Sequence, residues 1–506
     1  MLSQHLIILP IVIPLFAALL QLLPWGEHPQ RARRIIGLTS CVLLIVVAIA
    51  MLVSTFAGPS VYALGSWQAP FGIVLVADRL AATMVLLTTV LALPVLIFAS
   101  HGEDNLGSHF QSLYQFQLLG IIGAFLTGDL FNLFVFFEVL LISSYALLMH
   151  GGGKLKLRAT LHYVILNLAG SALFLISLGV IYGITGTLNI ADLAQKVALL
   201  SGDDAFILRG GGMLLLIVFG LKAALLPLYF WLPQAYANTT GSVAALFAIM
   251  TKVGVYAILR VFTIVFGEDG GAVALLGYDW LWWLGLLTLA AGGIGVLGSR
   301  DLRLLIAYLV VMSVGTMLTT FSMNTERAIS AVMYYLMHST FITACLFLLA
   351  DVIAEQRGKT ATRIVKGRQL AQHSTLGILF FAAAIAVIGM PPLSGFIGKL
   401  FILEAARTGA QVALLWPIVL GTTFLVMIAL SRAGSRMFWH VLEGKPGDVK
   451  HPWTQLSAIV FLVGCSIALT LFAQPLAELT EQIAYDLMNP SYYIDAVLGQ
   501  PGGSHE

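Results

Sequence analysis

The sequence predicts an all-α fold: a polytopic membrane protein of about fourteen transmembrane helices. Three observations predict it. Hydrophobic residues make up 59% of the 506 residues, charged residues only 10%, and the mean hydropathy is +0.95. The apolar residues gather into runs of about twenty, the length that spans a bilayer. Basic residues concentrate in alternate loops between the runs. Little soluble mass is left. The net charge of +2 points to no nucleic-acid partner, because the basic residues lie in short loops between apolar runs. Cys41, Cys345 and Cys465 lie far apart, in or beside apolar runs, with no CxxC or Cys/His cluster. No zinc, haem, iron–sulfur or other cofactor is therefore expected. The chain also carries no Walker A loop, dinucleotide fingerprint or nucleophile elbow.

In chain order the spans fall at roughly 4–24, 34–56, 76–99, 112–129, 130–149, 159–186, 207–236, 242–266, 278–298, 302–322, 327–353, 374–406, 411–438 and 455–477. The first has no basic n-region and no A-x-A site, so it reads as a retained helix rather than a signal peptide. One set of alternate loops carries Arg31, Arg33 and Arg34; Lys154, Lys156 and Arg158; Arg300 and Arg303; Arg357, Lys359, Arg363, Lys366 and Arg368; and Arg432, Arg436, Lys445 and Lys450. The other set carries Lys196, Arg209, Arg327 and Arg407. The positive-inside rule makes the first set cytoplasmic, and the even span count then puts both termini outside.

Two runs are too long for simple spans, and both contain helix breakers. Pro227 and Pro233 interrupt span 7; Gly389, Pro391, Pro392, Gly395 and Gly398 interrupt span 12. Proline removes an amide and clashes with the preceding turn. Backbone freed at membrane depth needs a protected cavity. Breaks five spans apart predict two inverted five-helix repeats, spans 4–8 and 9–13. The expected organisation is 1–111 for spans 1–3, 112–266 for the first repeat, 267–440 for the second, and 441–506 for span 14 and a tail.

Four charges lie deep in these runs: Glu138 in span 5, Lys222 in span 7, Lys252 in span 8 and Lys399 in span 12. Each costs roughly 2.5–3.5 kcal/mol on the insertion scale, so a chain that keeps them is expected to move charge. Glu138 and Lys222 admit a bland reading as a structural ion pair between neighbouring helices. The functional reading is that the carboxylate offsets the effect of burial on the lysine, which then loads and releases a proton. Lysine suits this better than arginine, which stays charged. Lys252 is too central to snorkel; Arg260, eight residues on and nearer the outer end, is expected to do so. Lys399 follows a break, as the unwound-helix sites of transporters do. A lone buried histidine is commonly a hydrogen-bonded core residue. Among other titratable groups, His338 reads instead as a relay. Asp78 and Asp129, at the ends of apolar runs, read equally as helix-end residues or as metal-ion ligands at an ion-access point. His162 and Asp351 read as interfacial. The glycines of AAGGIGVLG are expected to allow close helix packing.

The order of these motifs carries a resemblance. The glutamate of span 5, the lysine of span 7 followed by LPLYFWLP, the lysine of span 8, the histidine of span 11 and GMPPLSGFIGK in span 12 resemble the antiporter-like subunits of respiratory complex I. They also resemble their relatives in Mrp-type cation/proton antiporters and membrane-bound hydrogenases. GSWQAPFGIVLVADRLAATMV and TGDLFNLFVFFEVLLISSYALL are similar to the D-subunit family of Mrp antiporters. The resemblance covers nearly the whole chain and implies a proton relay of Glu138, Lys222, Lys252, His338 and Lys399. It implies a secondary-transporter subunit, not an enzyme, exchanging H⁺ for Na⁺ in the bacterial inner membrane alongside other Mrp subunits, especially A and C. A proton-pumping subunit of a complex I-like oxidoreductase or hydrogenase is the alternative. A helix scaffold with no transport role is the third reading. One departure stands out: some relatives carry a lysine a few residues after the histidine of span 11, where this chain has Thr343.

Overall fold

The computed structural model describes residues 5–25, 29–442 and 447–499. Lys445 and both extreme termini, used above to argue orientation, lie outside them. The helices of the first part are α1 (Leu9–Leu22), α2 (Pro29–Ser54), α3 (Arg79–Ala99), α4 (Phe110–Leu126), α5 (Leu130–Leu148), α6 (Lys154–Thr185), α7 (Ile190–Leu199), α8 (Gly202–Ala223), α9 (Trp231–Asn238) and α10 (Gly241–Ile264). The second part holds α11 (Tyr278–Gly298), α12 (Leu302–Phe321), α13 (Glu326–Arg357), α14 (His373–Ile388), α15 (Ser394–Ala405), α16 (Gly409–Gly434), α17 (Trp453–Leu471), α18 (Ala473–Met488) and α19 (Pro490–Leu498).

Among the described residues, eleven helical segments are long and apolar enough to cross a membrane; Leu9–Leu22, Phe110–Leu126 and His373–Ile388 are apolar but shorter. The most apolar stretches of α10 and α13 are wholly buried, whereas only about a third of those of α2 and α16 is buried. The lysine helix α10 and the histidine helix α13 thus form the centre of the bundle.

Both long runs are broken, at Pro227 and at Pro391–Pro392; Pro233, Gly395 and Gly398 do not interrupt a helix but lie in the first turns of the helices that follow, where helical backbone tolerates them. α8 ends at Ala223, Ala224 turns left-handed (φ +65°), and α9 starts at Trp231. α14 ends at Ile388, Gly389 turns left-handed (φ +81°), and α15 starts at Ser394.

The two halves repeat one set of contacts. A β-carbon at Gly120 would fall 2.6 Å from the Leu140 nitrogen, and one at Gly292 would fall 2.7 Å from the Met312 nitrogen. Gly123 lies flat against the Phe136 ring and Gly295 against the Tyr308 ring. Only glycine admits such close backbone approach. The turn between α4 and α5 is then tied to the chain after α6: Leu130 N–H donates to Leu188 O at 2.8 Å and Ile190 N–H to Gly128 O at 2.9 Å. The turn between α11 and α12 is tied in the same way to the chain after α13. There Leu302 N–H donates to Thr362 O and Ile364 N–H to Arg300 O, both at 2.9 Å. Asp129 caps α5 and Asp301 caps α12, each accepting backbone N–H bonds in the first turn.

Elements outside the apolar runs gather at one end of the bundle. An antiparallel hairpin of β1 (Ser60–Ala63) and β2 (Val74–Ala77) leads into α3. α19 packs against α7 and β1. At the other end, β3 (Gly367–Arg368) pairs in parallel with β4 (Val441–Leu442). The all-α expectation omits these short strands, and the expected tail is instead helical in α18 and α19.

Candidate functional site

The break between α8 and α9 places Lys222 in the last turn of α8, 7% exposed. Freed backbone groups find partners around it: Trp231 Nε1–H donates to Leu221 O at 3.0 Å, and Leu226 N–H donates to Thr288 Oγ1 at 2.9 Å. Lys222 Nζ donates to Asn167 Oδ1 at 3.2 Å and lies 5.8 Å from the centre of the Phe137 ring. Glu138, next to Phe137 on α5, accepts a hydrogen bond from Ser171. Asn167 and Ser171 lie one turn apart on the same face of α6. That helix therefore holds the lysine and the carboxylate side by side, and the two form no direct ion pair.

α10 crosses α8 at this point. A β-carbon on Gly254 would fall 2.8 Å from the Lys222 carbonyl carbon. Gly254 thus lets the backbone of α10 touch the Lys222–Ala223 peptide. Lys252, two residues before it, is fully buried, and its Nζ donates to Ser313 Oγ on α12 at 3.1 Å.

The second break carries the other two groups. His338 Nδ1 is 2.8 Å from Ser394 Oγ at the start of α15, and Ser394 Oγ is 2.7 Å from Ser466 Oγ on α17. A β-carbon at Gly395 would meet the His338 ring at 2.9 Å. One turn further, Lys399 reaches back across the break, 8% exposed. Its Nζ donates to Ile388 O at 2.7 Å and to Thr423 Oγ1 on α16 at 2.8 Å. Ile388 O is a terminal carbonyl of α14, so the ammonium faces the negative end of that helix.

One expectation changes. Arg260 does not snorkel: it is 3% exposed and forms a bidentate ion pair with Asp78, with one arm at 2.7 Å. Its Nε–H also donates to Tyr256 Oη at 3.2 Å. Asp78 meanwhile accepts the Ala81 N–H at 2.9 Å as the cap of α3. Both Asp78 oxygens are thus engaged within the protein, one of them as a helix cap. Asp351 lies near the C-terminal end of α13, facing the first turns of α10 and α12. It is buried, pairs with Arg303, and accepts the Gly241 N–H at 2.6 Å at the start of α10. Asp129 caps α5, accepting the Asn132 N–H at 2.9 Å. Among the described residues no group of three or more His, Cys, Asp or Glu is placed to hold a metal ion.

Sequence reasoning passed over Asn167, Ser171, Ser313, Ser394 and Thr423, the neutral groups that hold the titratable ones. The signal available was small: a polar pair four residues apart, Asn167 and Ser171, inside the otherwise apolar span 6.

Comparison with known proteins gives the family. The family described as NADH:quinone oxidoreductase/Mrp antiporter, transmembrane, matches residues 127–428, which contain both breaks and all five groups of the expected relay. The D subunit of the probable K⁺/H⁺ antiporter of Rhizobium meliloti is 39% identical, over 98% of each chain. The D subunit of the Na⁺/H⁺ antiporter of Bacillus subtilis is 37% identical, over 98% of this chain and 99% of its own. Among solved structures, a chain of the Mrp complex from Dietzia superposes with a TM-score of 0.88 at 26% identity, covering 99% of this chain and all of that one. The chain belongs to the NADH:quinone oxidoreductase/Mrp antiporter family, among its D-subunit members.

Proposed function

We propose that this chain is the proton-translocating subunit of a multisubunit monovalent cation (Na⁺)/H⁺ antiporter. It is a secondary-transporter subunit that carries protons along Glu138, Lys222, Lys252, His338 and Lys399. It works with other Mrp subunits, A and C in particular, in the bacterial inner membrane. One observation carries this reading. Among the described residues, the buried Arg260 is paired with Asp78 and the buried Arg357 is held by three backbone carbonyls, whereas each of the three buried lysines meets only one or two neutral oxygens and no carboxylate partner. Lys222 faces an amide oxygen, Lys252 a hydroxyl, and Lys399 a carbonyl and a hydroxyl. Such a lysine gives up its proton without leaving a carboxylate stranded; an arginine holds its proton.

The relay runs across the bundle, with each station set by the last. A proton on Lys222 raises the cost of one on Lys252 through a low-dielectric interior. The helices that carry the two lysines touch at Gly254. Ser313 leads from α10 to α12, which packs on α13. From there His338 and Ser394 lead to α15 and Lys399. Asp129, which no cation of the protein pairs with among the described residues, is the candidate ion-access ligand.

Glu138 tests the first station. If its role is to set the proton affinity of Lys222, Glu138→Asp keeps part of the exchange with a displaced pH optimum, and Glu138→Ala loses most of it. Equal loss in both, with poor assembly, means that the carboxylate is purely structural. Sodium-dependent proton exchange in everted vesicles is the measurement.

We also infer fourteen crossings, with the shorter α1 and α4 spanning and α14 and α15 together forming one. The inverted repeats are then 112–266 and 267–440, between a leading unit of 1–111 and a closing unit of 441–506. The glycine contacts and backbone ties shared by the two halves support this division. Loops rich in arginine and lysine face the cytoplasm and both termini face outward. A cysteine placed in the 358–372 loop is expected to resist impermeant thiol reagents in intact cells and to react in everted vesicles; labelling from outside overturns the orientation. Because the matched family also embraces NADH:quinone oxidoreductases, co-purifying subunits in mild detergent separate the two settings. Small cation-antiporter subunits fit the proposal, and iron–sulfur proteins contradict it.

A further inference from the structure

A groove of about 500 Å³ opens between the first turns of α6 and the short helix α9. One wall carries Leu155, Arg158 and His162. Phe230, Gln234 and Asn238 form the other. Arg158 and His162 lie one turn apart on one face of α6, both are exposed, and neither forms an ion pair or hydrogen bond among the described residues. Among the described residues no acidic side chain lines the groove. The relay uses none of these groups.

The surroundings are amphipathic in a definite order. The cations lie at the start of α6, in the loop region assigned to the cytoplasmic face. Further along α6, the side chains of Leu161, Ile165 and Leu168 are exposed, and Phe230 is exposed on the opposite wall. A phosphate at the mouth would meet a guanidinium, an imidazole and two side-chain amides. Chains attached to it would lie along the apolar strip. A free anion would use the cations and leave the strip bare. We propose that this groove binds an anionic phospholipid of the surrounding bilayer, with its phosphate at Arg158 and His162. Basic pockets between membrane helices on the cytoplasmic side suit such headgroups. The inference depends on the proposed orientation only for the choice of leaflet, and on the proposed relay not at all.

The test uses the assembled complex reconstituted in phosphatidylcholine vesicles with and without phosphatidylglycerol. Retained lipid is read by native mass spectrometry. The double variant Arg158→Gln, His162→Gln is compared with Lys154→Gln, which removes a neighbouring charge outside the groove. The expected result is a retained phosphatidylglycerol in the parent and in Lys154→Gln. In the double variant the preference for phosphatidylglycerol falls by about fivefold for the lost guanidinium. Three results overturn the proposal. One is an unchanged preference in the double variant. Another is displacement of the lipid by inorganic phosphate alone. The third is loss of a partner protein from the double variant with lipid content unchanged, which would assign the groove to protein.

Discussion

Lys399→Arg is expected to stop exchange although it conserves the charge. The complex assembles and the site stays positive, yet sodium-dependent proton exchange falls by on the order of a hundredfold, the scale of a lost proton-transfer group. The reason is chemical first. Arginine does not release its proton under working conditions, so a station that must empty stays full. Packing adds to it. Lys399 Nζ is held between Ile388 O at 2.7 Å and Thr423 Oγ1 at 2.8 Å. A β-carbon on Gly389 would already fall 2.8 Å from its Cδ. A guanidinium there overpacks the break, at about 1–3 kcal/mol. Thermal stability of the purified complex separates the two effects, because strain lowers it whereas a blocked proton does not. Normal exchange in Lys399→Arg would show that the position supplies only fixed positive charge. The relay would then have to end at Lys252 or His338.

The features of fold and site that are legible in sequence share a property: they are lone signals against a uniform background. A run of twenty apolar residues stands out, and so does a lysine inside one. Pro227 and Pro391 with Pro392 announce breaks because proline removes an amide and clashes with the preceding turn, although Pro14, Pro94 and Pro417 sit inside continuous helices. The structure places a left-handed turn at Ala224 and Gly389, beside those prolines. The features that are not legible are pairings across long separations. Asp78 and Arg260 are 182 residues apart, and nothing in spacing joins them. With Arg260 read alone, snorkelling is the cheaper answer; its partner makes burial cheaper still. Asn167, Ser171 and Ser313 are invisible for another reason. Serine and asparagine recur through apolar helices as ordinary packing residues, so only geometry distinguishes those that face a lysine. The helices α7, α18 and α19 escape because they are short and amphipathic, too polar to read as spans. The pattern of Gly120, Gly123, Gly292 and Gly295 is present in the sequence, since the same spacing occurs in both halves. Its meaning depends on seeing Leu140 and Met312 pressed against it.

Lys222 is the station on which the others depend. It joins Glu138 through α6 on one side and Lys252 through the α8–α10 crossing on the other. Lys222→Ala removes the cation at the first break. It leaves a cavity beside Phe137 and Asn167 but strands no charge, because Lys222 has no carboxylate partner among the described residues. Assembly is therefore expected to survive. The most direct test is sodium-dependent proton exchange in everted vesicles carrying the assembled Lys222→Ala complex, with subunit content checked in the same preparation. The relay predicts no exchange above the background of vesicles lacking the complex. Full exchange in an assembled Lys222→Ala complex would contradict it and leave the buried lysines as structural charges.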